Sequence, residues 1–247
     1  MKKQSWYLVA LGIALVTTSA VLYLIHFAIF RDTHHIFIYL LGDIAFLPIE
    51  VLVVTLIVDR LLNERDKKAT LEKLNMVIGA FFSEVGTELL RRLCEADPAS
   101  DEKRGRLAVD GSWSEKEFRA MKAEFEAKQF KVDSRSVNLY SLRDILVRNR
   151  DFLVRLLENP LLLEHAIFTD LLWAVFHLTE ELESRRSLEG LPPADMDHLA
   201  GDMGRAYGLL AREWLDYMMH LKANYPYLFS LAMRLNPFDP DARAEFA

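Results

Sequence analysis

Formal charge is missing from two long stretches of this chain, and cysteine is nearly missing from all of it. Residues 6–30 contain no Asp, Glu, Lys or Arg, only His26 near the end. Residues 36–58 are again apolar, interrupted by Asp43 and Glu50 alone. The single cysteine, Cys94, excludes an intrachain disulfide and points to a reducing compartment for the segment that carries it. No proline stands between Pro48 and Pro98, so nothing there breaks a helix by removing a backbone donor. No segment of useful length alternates with a strand period, and there is no internal repeat or low-complexity tract. The net charge of −6 argues against a nucleic-acid partner, for which a basic face is expected.

What is present follows from those gaps. Each uncharged run exceeds the roughly 20 residues needed to cross a bilayer core of ~30 Å. Lys2 and Lys3 before the first run resemble the start of a signal peptide, and Thr18-Ser19-Ala20 is loosely like a cleavage site. The apolar run continues to Phe30, longer than a signal core, which favours an uncleaved span. Basic residues flank the outer ends of the pair: Lys2 and Lys3 before it, Arg60, Arg65, Lys67, Lys68 and Lys73 after it. The connection 31–35 holds one Arg. By the positive-inside rule both termini face the cytoplasm, as in a bacterial-type inner (plasma) membrane, with Trp6 and Tyr7 at the inner interface.

Past Val58, helical signals continue. Leu71, Leu74, Ile78, Phe81, Val85 and Leu89 recur at spacings of three and four, one apolar stripe. The second run is therefore expected to extend as one helix to about Leu93, with a soft point near Asn63. Residues 95–105 read as a solvated loop. Ser114 and Glu117 form a capping-box pattern. Later helices are expected from Ser141 to Asn159-Pro160, from Leu161 to Ser184, from the Gly190-Leu-Pro-Pro break past Leu221, and around 227–235. Residues 161–178 carry Glu164, His165, Asp170 and His177, which suits a buried soluble helix better than a third span. The expected fold is all-α: a two-span transmembrane helical hairpin at 1–60 (spans about 6–30 and 36–58), a connecting amphipathic helix at 61–95, and a cytosolic bundle of about five helices at 96–247.

Asp43 and Glu50 are the first site candidates, because an acid at membrane depth is costly unless neutralised, paired or hydrated. Seven residues apart, they share a face about 10 Å apart along the axis, with Pro48 between them. In a symmetric oligomer such a face forms rings of acids around an axis. The structural alternative pairs each acid across the hairpin: His26 lies at a depth near Asp43, and Thr17, Thr18 and Ser19 near Glu50. The same groups could also relay protons. His34 and His35 in the outer loop offer half a metal site at most, and read more simply as an interfacial pair.

The later helices scatter His165, His177, His198 and His220 among acids. A di-metal carboxylate bundle needs Glu-x-x-His on two helices. Here the pattern occurs reversed, as His177-x-x-Glu180, and loosely as Asp195-x-x-His198 at a helix start. No metal and no cofactor are expected. Glu84 and Glu88 share a face near Gly79 and Gly86, which suits close packing between subunits. Trp173, Phe176, Trp214 and Tyr217 read as core. With no phosphate-cradling loop, nucleophile elbow or paired-Cys motif, and no catalytic neighbour for Cys94, an enzyme is not expected.

The layout of two spans, a short outer loop, acids in the second span and a following helical domain is similar to that of the mitochondrial calcium uniporter pore subunits. The resemblance is one of topology. Their Asp-x-x-Glu-Pro motif is absent, since Asp43 and Glu50 are too far apart and Pro48 precedes the second acid, so no functional residue carries over. Two functions follow as expectations. One is a homo-oligomer in the lipid bilayer whose second spans line a cation or proton path, regulated by the helical domain. The other is a membrane-anchored scaffold or signalling protein whose bundle binds a cytosolic protein partner.

Overall fold

The computed structural model describes residues 2–107 and 109–245, and among them every regular element is helical. Two compact units, residues 1–67 and 68–247, divide the chain, and the boundary falls inside a helix.

The first unit holds α1 (Lys2–Phe30) and the first part of α2 (Thr33–Phe81). Arg31, with φ of 47°, ends α1 in the left-handed conformation, and its N–H donates to Phe27 O at 2.9 Å. That closes an otherwise unpaired carbonyl of the last turn. Asp32 opens α2 by accepting from His34 N at 3.0 Å. The windows Val9–Phe30 and Ile36–Glu95 are long and apolar enough to cross a membrane, and the most apolar 18 residues of each are wholly unburied. Apolar side chains such as Val16, Leu24, Leu41 and Leu56 are 60–72% exposed on all sides of their helices. A helix apolar all round has no solvated face, unlike a surface helix of a globular domain.

The second unit is built the other way. From Leu74 onward α2 buries one stripe, then a π-helical turn, Phe82–Gly86, leads into α3 (Thr87–Glu95). The expected helix to about Leu93 thus forms with one irregular turn. The extra residue of a π turn rotates the chain so that both Phe81 and Phe82 are buried, one edge-on to Phe168 and the other stacked on Tyr217. Gly86 has a local reason: a Cβ there would stand 2.7–2.8 Å from the Phe81 and Phe82 rings. The glycine serves packing within the chain.

Then follow α4 (Ser100–Arg106), α5 (Glu115–Ala127), α6 (Leu139–Arg148), α7 (Arg150–Leu157), a 3₁₀ turn (Pro160–Glu164), α8 (Ala166–Ser184), α9 (Pro193–Asn224) and α10 (Pro226–Arg234). The Ser114–Glu117 capping box opens α5 as expected. Two differences have clear causes. Asn149 ends α6 and starts α7, so the helix read from Ser141 is two. Residues 95–105 are not a solvated loop: α4 forms there, anchored by a buried ion pair of Lys103 with Asp97, whose ammonium also sits 4.7 Å from the Phe130 ring. A buried Lys is tolerated only with such a partner.

The core runs along α8 and α9. Helix α8 buries Phe168, Leu171, Leu172, Val175, Leu178 and Leu182, the i, i+3, i+4 stripe of a core helix, in keeping with the buried soluble helix expected for this stretch. Trp173 is the exception to the aromatic-core reading. It falls off that stripe and is 57% exposed, while Trp214 is 1% exposed against Phe238. On α9, Gly204 lets a neighbouring backbone come close: a Cβ there would meet Phe130 O at 2.7 Å.

Candidate functional site

Of the acids singled out in the second apolar run, Asp43 lines a cavity of about 500 Å³ between α1 and α2, with Thr18, Ser19, His26 and Tyr39 also on its wall. Glu50 and Thr17 are not on that wall. Thr17 and Thr18 donate to the carbonyls of Ile13 and Ala14 one turn back, at 2.8 and 2.9 Å, so their hydroxyls are bonded within their own helix. His26 packs on Phe30, with ring centroids 4.8 Å apart. The connection between the helices shrinks to Arg31 and Asp32, which places His34 in the first turn of α2. The side chains of His35, and of Lys2, Lys3, Tyr7 and Glu164, lie outside the described residues.

The second unit holds a cavity that sequence reading missed. About 660 Å³ in volume, it lies beside α9, with Trp113 and Tyr217 among its walls and His165, Glu213, Asp216 and His220 bringing the polar groups. Glu213 is 1% exposed and neither carboxyl oxygen has a hydrogen-bond partner. Burial, reinforced by the nearby Asp216 carboxylate, pushes its pKa up to about 8. His165 faces it, Nε2 to Oε1 being 4.0 Å. As the N-cap of α8, His165 accepts from Phe168 N through Nδ1 at 3.1 Å, which leaves the proton on Nε2, the nitrogen turned toward Glu213. Burial lowers the His165 pKa, favouring the neutral ring. Asp216 is held by Lys122, and the Asn75 and Asn224 amides lie 3.1 and 3.2 Å from His220 Nδ1. The cavity thus offers one uncommitted carboxyl beside a neutral imidazole with a fixed N–H, framed by aromatic walls. The recoverable sequence signal was Glu213 itself, an acid on the apolar stripe of α9 one residue before Trp214.

A separate cluster joins α8 to α9. His177, His198 and Asp202 place one donor atom each within 4.8 Å of one another. Asp202 Oδ2 lies 3.3 Å from His198 Nε2 and 3.5 Å from His177 Nε2, and Glu181 approaches the same rings at 3.6 and 4.0 Å. Neither three-residue pairing read from the sequence forms the group. The working spacings are His177-x-x-x-Glu181 and His198-x-x-x-Asp202, each one helical turn. Glu180 faces Arg150 instead.

Comparisons with known proteins agree with the division of the chain. Residues 2–62 match the family model described as "MJ1433, N-terminal helical domain", and residues 70–234 match "Uncharacterized protein MJ1433, C-terminal helical domain". The protein named "Uncharacterized protein MJ1433" from Methanocaldococcus jannaschii is 48% identical over 233 residues, covering 94% of each chain. No solved structure matches. With both helical regions matched and a full-length relative at that identity, the chain belongs to the MJ1433 family.

Proposed function

We propose that this chain is an integral membrane protein in which α1 and the first part of α2 cross the bilayer as a hairpin, both termini cytoplasmic, and anchor a helical binding module at the inner face of the plasma membrane. The observation that carries the reading is the exposure of two helices that are apolar on every side. In water such surface would be unfavourable by about 25 cal/mol per Å², and lipid removes that cost. The module then presents the Glu213 cavity to small polar ligands that hydrogen-bond a carboxyl. Cys94, 1% exposed, leaves the native chain without a reactive surface thiol, so topology is directly readable. The full chain should stay in the membrane fraction at alkaline pH. A cysteine at His34→Cys should react with an impermeant maleimide in intact cells, and one at Ser187→Cys only after permeabilisation. Release at alkaline pH, or equal labelling of both positions in intact cells, overturns the reading.

A second reading keeps the ion path, and the cavity that joins Asp43 with His26, Thr18 and Ser19 favours it. Here the chain is a homo-oligomer, and Asp43 draws a cation or proton along the second span. In proteoliposomes Asp43→Asn should lower flux at unchanged oligomeric mass. Wild-type flux no greater than that of empty vesicles ends this reading.

A further inference from the structure

We propose that His177, His198 and Asp202 form a binding site for a divalent transition-metal ion of the zinc class, clamping the C-terminal half of α8 to the first turns of α9. The site is independent of the membrane reading and of the Glu213 cavity.

Three observations carry it. The first is geometry. A tetrahedral ion with bonds of about 2.0–2.1 Å to nitrogen and oxygen sets its ligands about 3.3–3.4 Å apart. The Asp202 carboxylate oxygen stands 3.3 and 3.5 Å from the two imidazole Nε2 atoms. Those two distances match the edges of such a tetrahedron and are longer than the 2.7–2.9 Å of a strong charge-assisted hydrogen bond, and all three donor atoms lie within 4.8 Å of one another. The second is burial. The Asp202 side chain is 4% exposed, and its Oδ2, the oxygen aimed between the rings, has no hydrogen-bond partner. Its other oxygen is approached by Arg205 at 3.3 Å. A buried carboxylate oxygen without a donor is costly, and a cation held by the two imidazoles would satisfy it. The third is access. His177 and His198 have side chains 45% and 52% exposed, so an ion can enter from solvent.

Donor chemistry narrows the ion. Two imidazoles and one carboxylate suit zinc and its first-row neighbours, whereas calcium and magnesium select oxygen donors. Three protein ligands leave a fourth position. Glu181 stands 3.6 Å from His198 and 4.0 Å from His177, with Oε2 held by Arg185 Nη1 at 2.6 Å, and His177 also lines a cavity of about 610 Å³ that includes Arg212 and Lys128. Residues 185–192 join the two helices, with Gly190 at φ 65°. That short connection brings the end of α8 and the start of α9 together and fixes the pairing.

The test uses the untagged full chain in detergent, stripped with a chelator and titrated with Zn²⁺, with bound metal counted after gel filtration. One equivalent should be retained, and the melting temperature should rise on loading. Removing either half-exposed imidazole, by His177→Gln or His198→Gln, should leave the fold intact by circular dichroism and weaken zinc binding at least about tenfold. The outlying His220→Gln should leave it unchanged. Co²⁺ loading should give the absorption of a nitrogen and oxygen site, without a sulfur charge-transfer band. A wild-type chain that retains no zinc, or binding of wild-type strength in both His177→Gln and His198→Gln, overturns the proposal.

Discussion

Asp43 and Glu213 are carboxylic acids on long helices rich in apolar residues, yet the two helices bring them to opposite surroundings. Around Asp43 the apolar side chains of α1 and α2 turn outward on every side, and the acid lines an open cavity between the two helices. Around Glu213 the apolar side chains of α9 turn inward against α8, and the acid is 1% exposed at the wall of its own cavity, with no hydrogen-bond partner. The amount of apolar surface is not what separates the regions. The difference lies in its distribution around the helix: a full cylinder has to be covered from outside, whereas a stripe is covered by the rest of the chain. An acid carries a different meaning in each. On a full cylinder its cost depends on what surrounds the protein, and inside a core it is set by the fold alone.

The largest test of this contrast is Trp214→Ala. Trp214 is 1% exposed, and its loss should destabilise the helical unit by roughly 3–5 kcal/mol, read by denaturant unfolding of the full chain. The parallel truncation Leu15→Ala, at a residue 63% exposed on α1, should leave that transition in place. Equal losses at both positions would break the distinction between outward and inward apolar surface.

A smaller effect sharpens the comparison through pH. The Glu213 pKa is raised from 4.5 to about 8 in the folded chain. Between those values the unfolded chain releases a proton that the folded chain keeps. The contribution of Glu213 is therefore fully present below about pH 4.5 and is lost as pH rises toward 8, on the order of 3 kcal/mol by pH 7. Glu213→Gln should remove this part of the slope in stability measured from pH 5 to 8. An unchanged slope would mean that Glu213 is not held protonated.

How much of this was legible before the structure depends on the range of the interaction. The Ser114–Glu117 pair marked the start of α5, because that pattern operates within a few residues, and the ionisable groups within the apolar stretch 161–178 pointed to the buried helix that forms as α8. The split at Asn149 was missed because an asparagine inside an apolar periodicity is a weak local signal. The ion pair of Lys103 with Asp97 was hidden for another reason: a charged stretch reads as solvated unless a distant segment, here the connection after α5 that carries Phe130, covers it. The His177–His198–Asp202 group was invisible as a group, since a template of three-residue pairs on separate helices does not contain one-turn pairs that meet across a turn.

The sequence by itself determined that the chain is helical, where its two uncharged apolar runs lie, and which faces of its later helices are apolar, since each follows from local spacing and side-chain polarity. Only the tertiary structure decided that Glu213 is buried without a hydrogen-bond partner, that Trp173 faces outward while Trp214 does not, and that two histidines and an aspartate converge. Those outcomes depend on how α8 and α9 cross, which is set by the sum of many packed side chains and is written in no single stretch of residues.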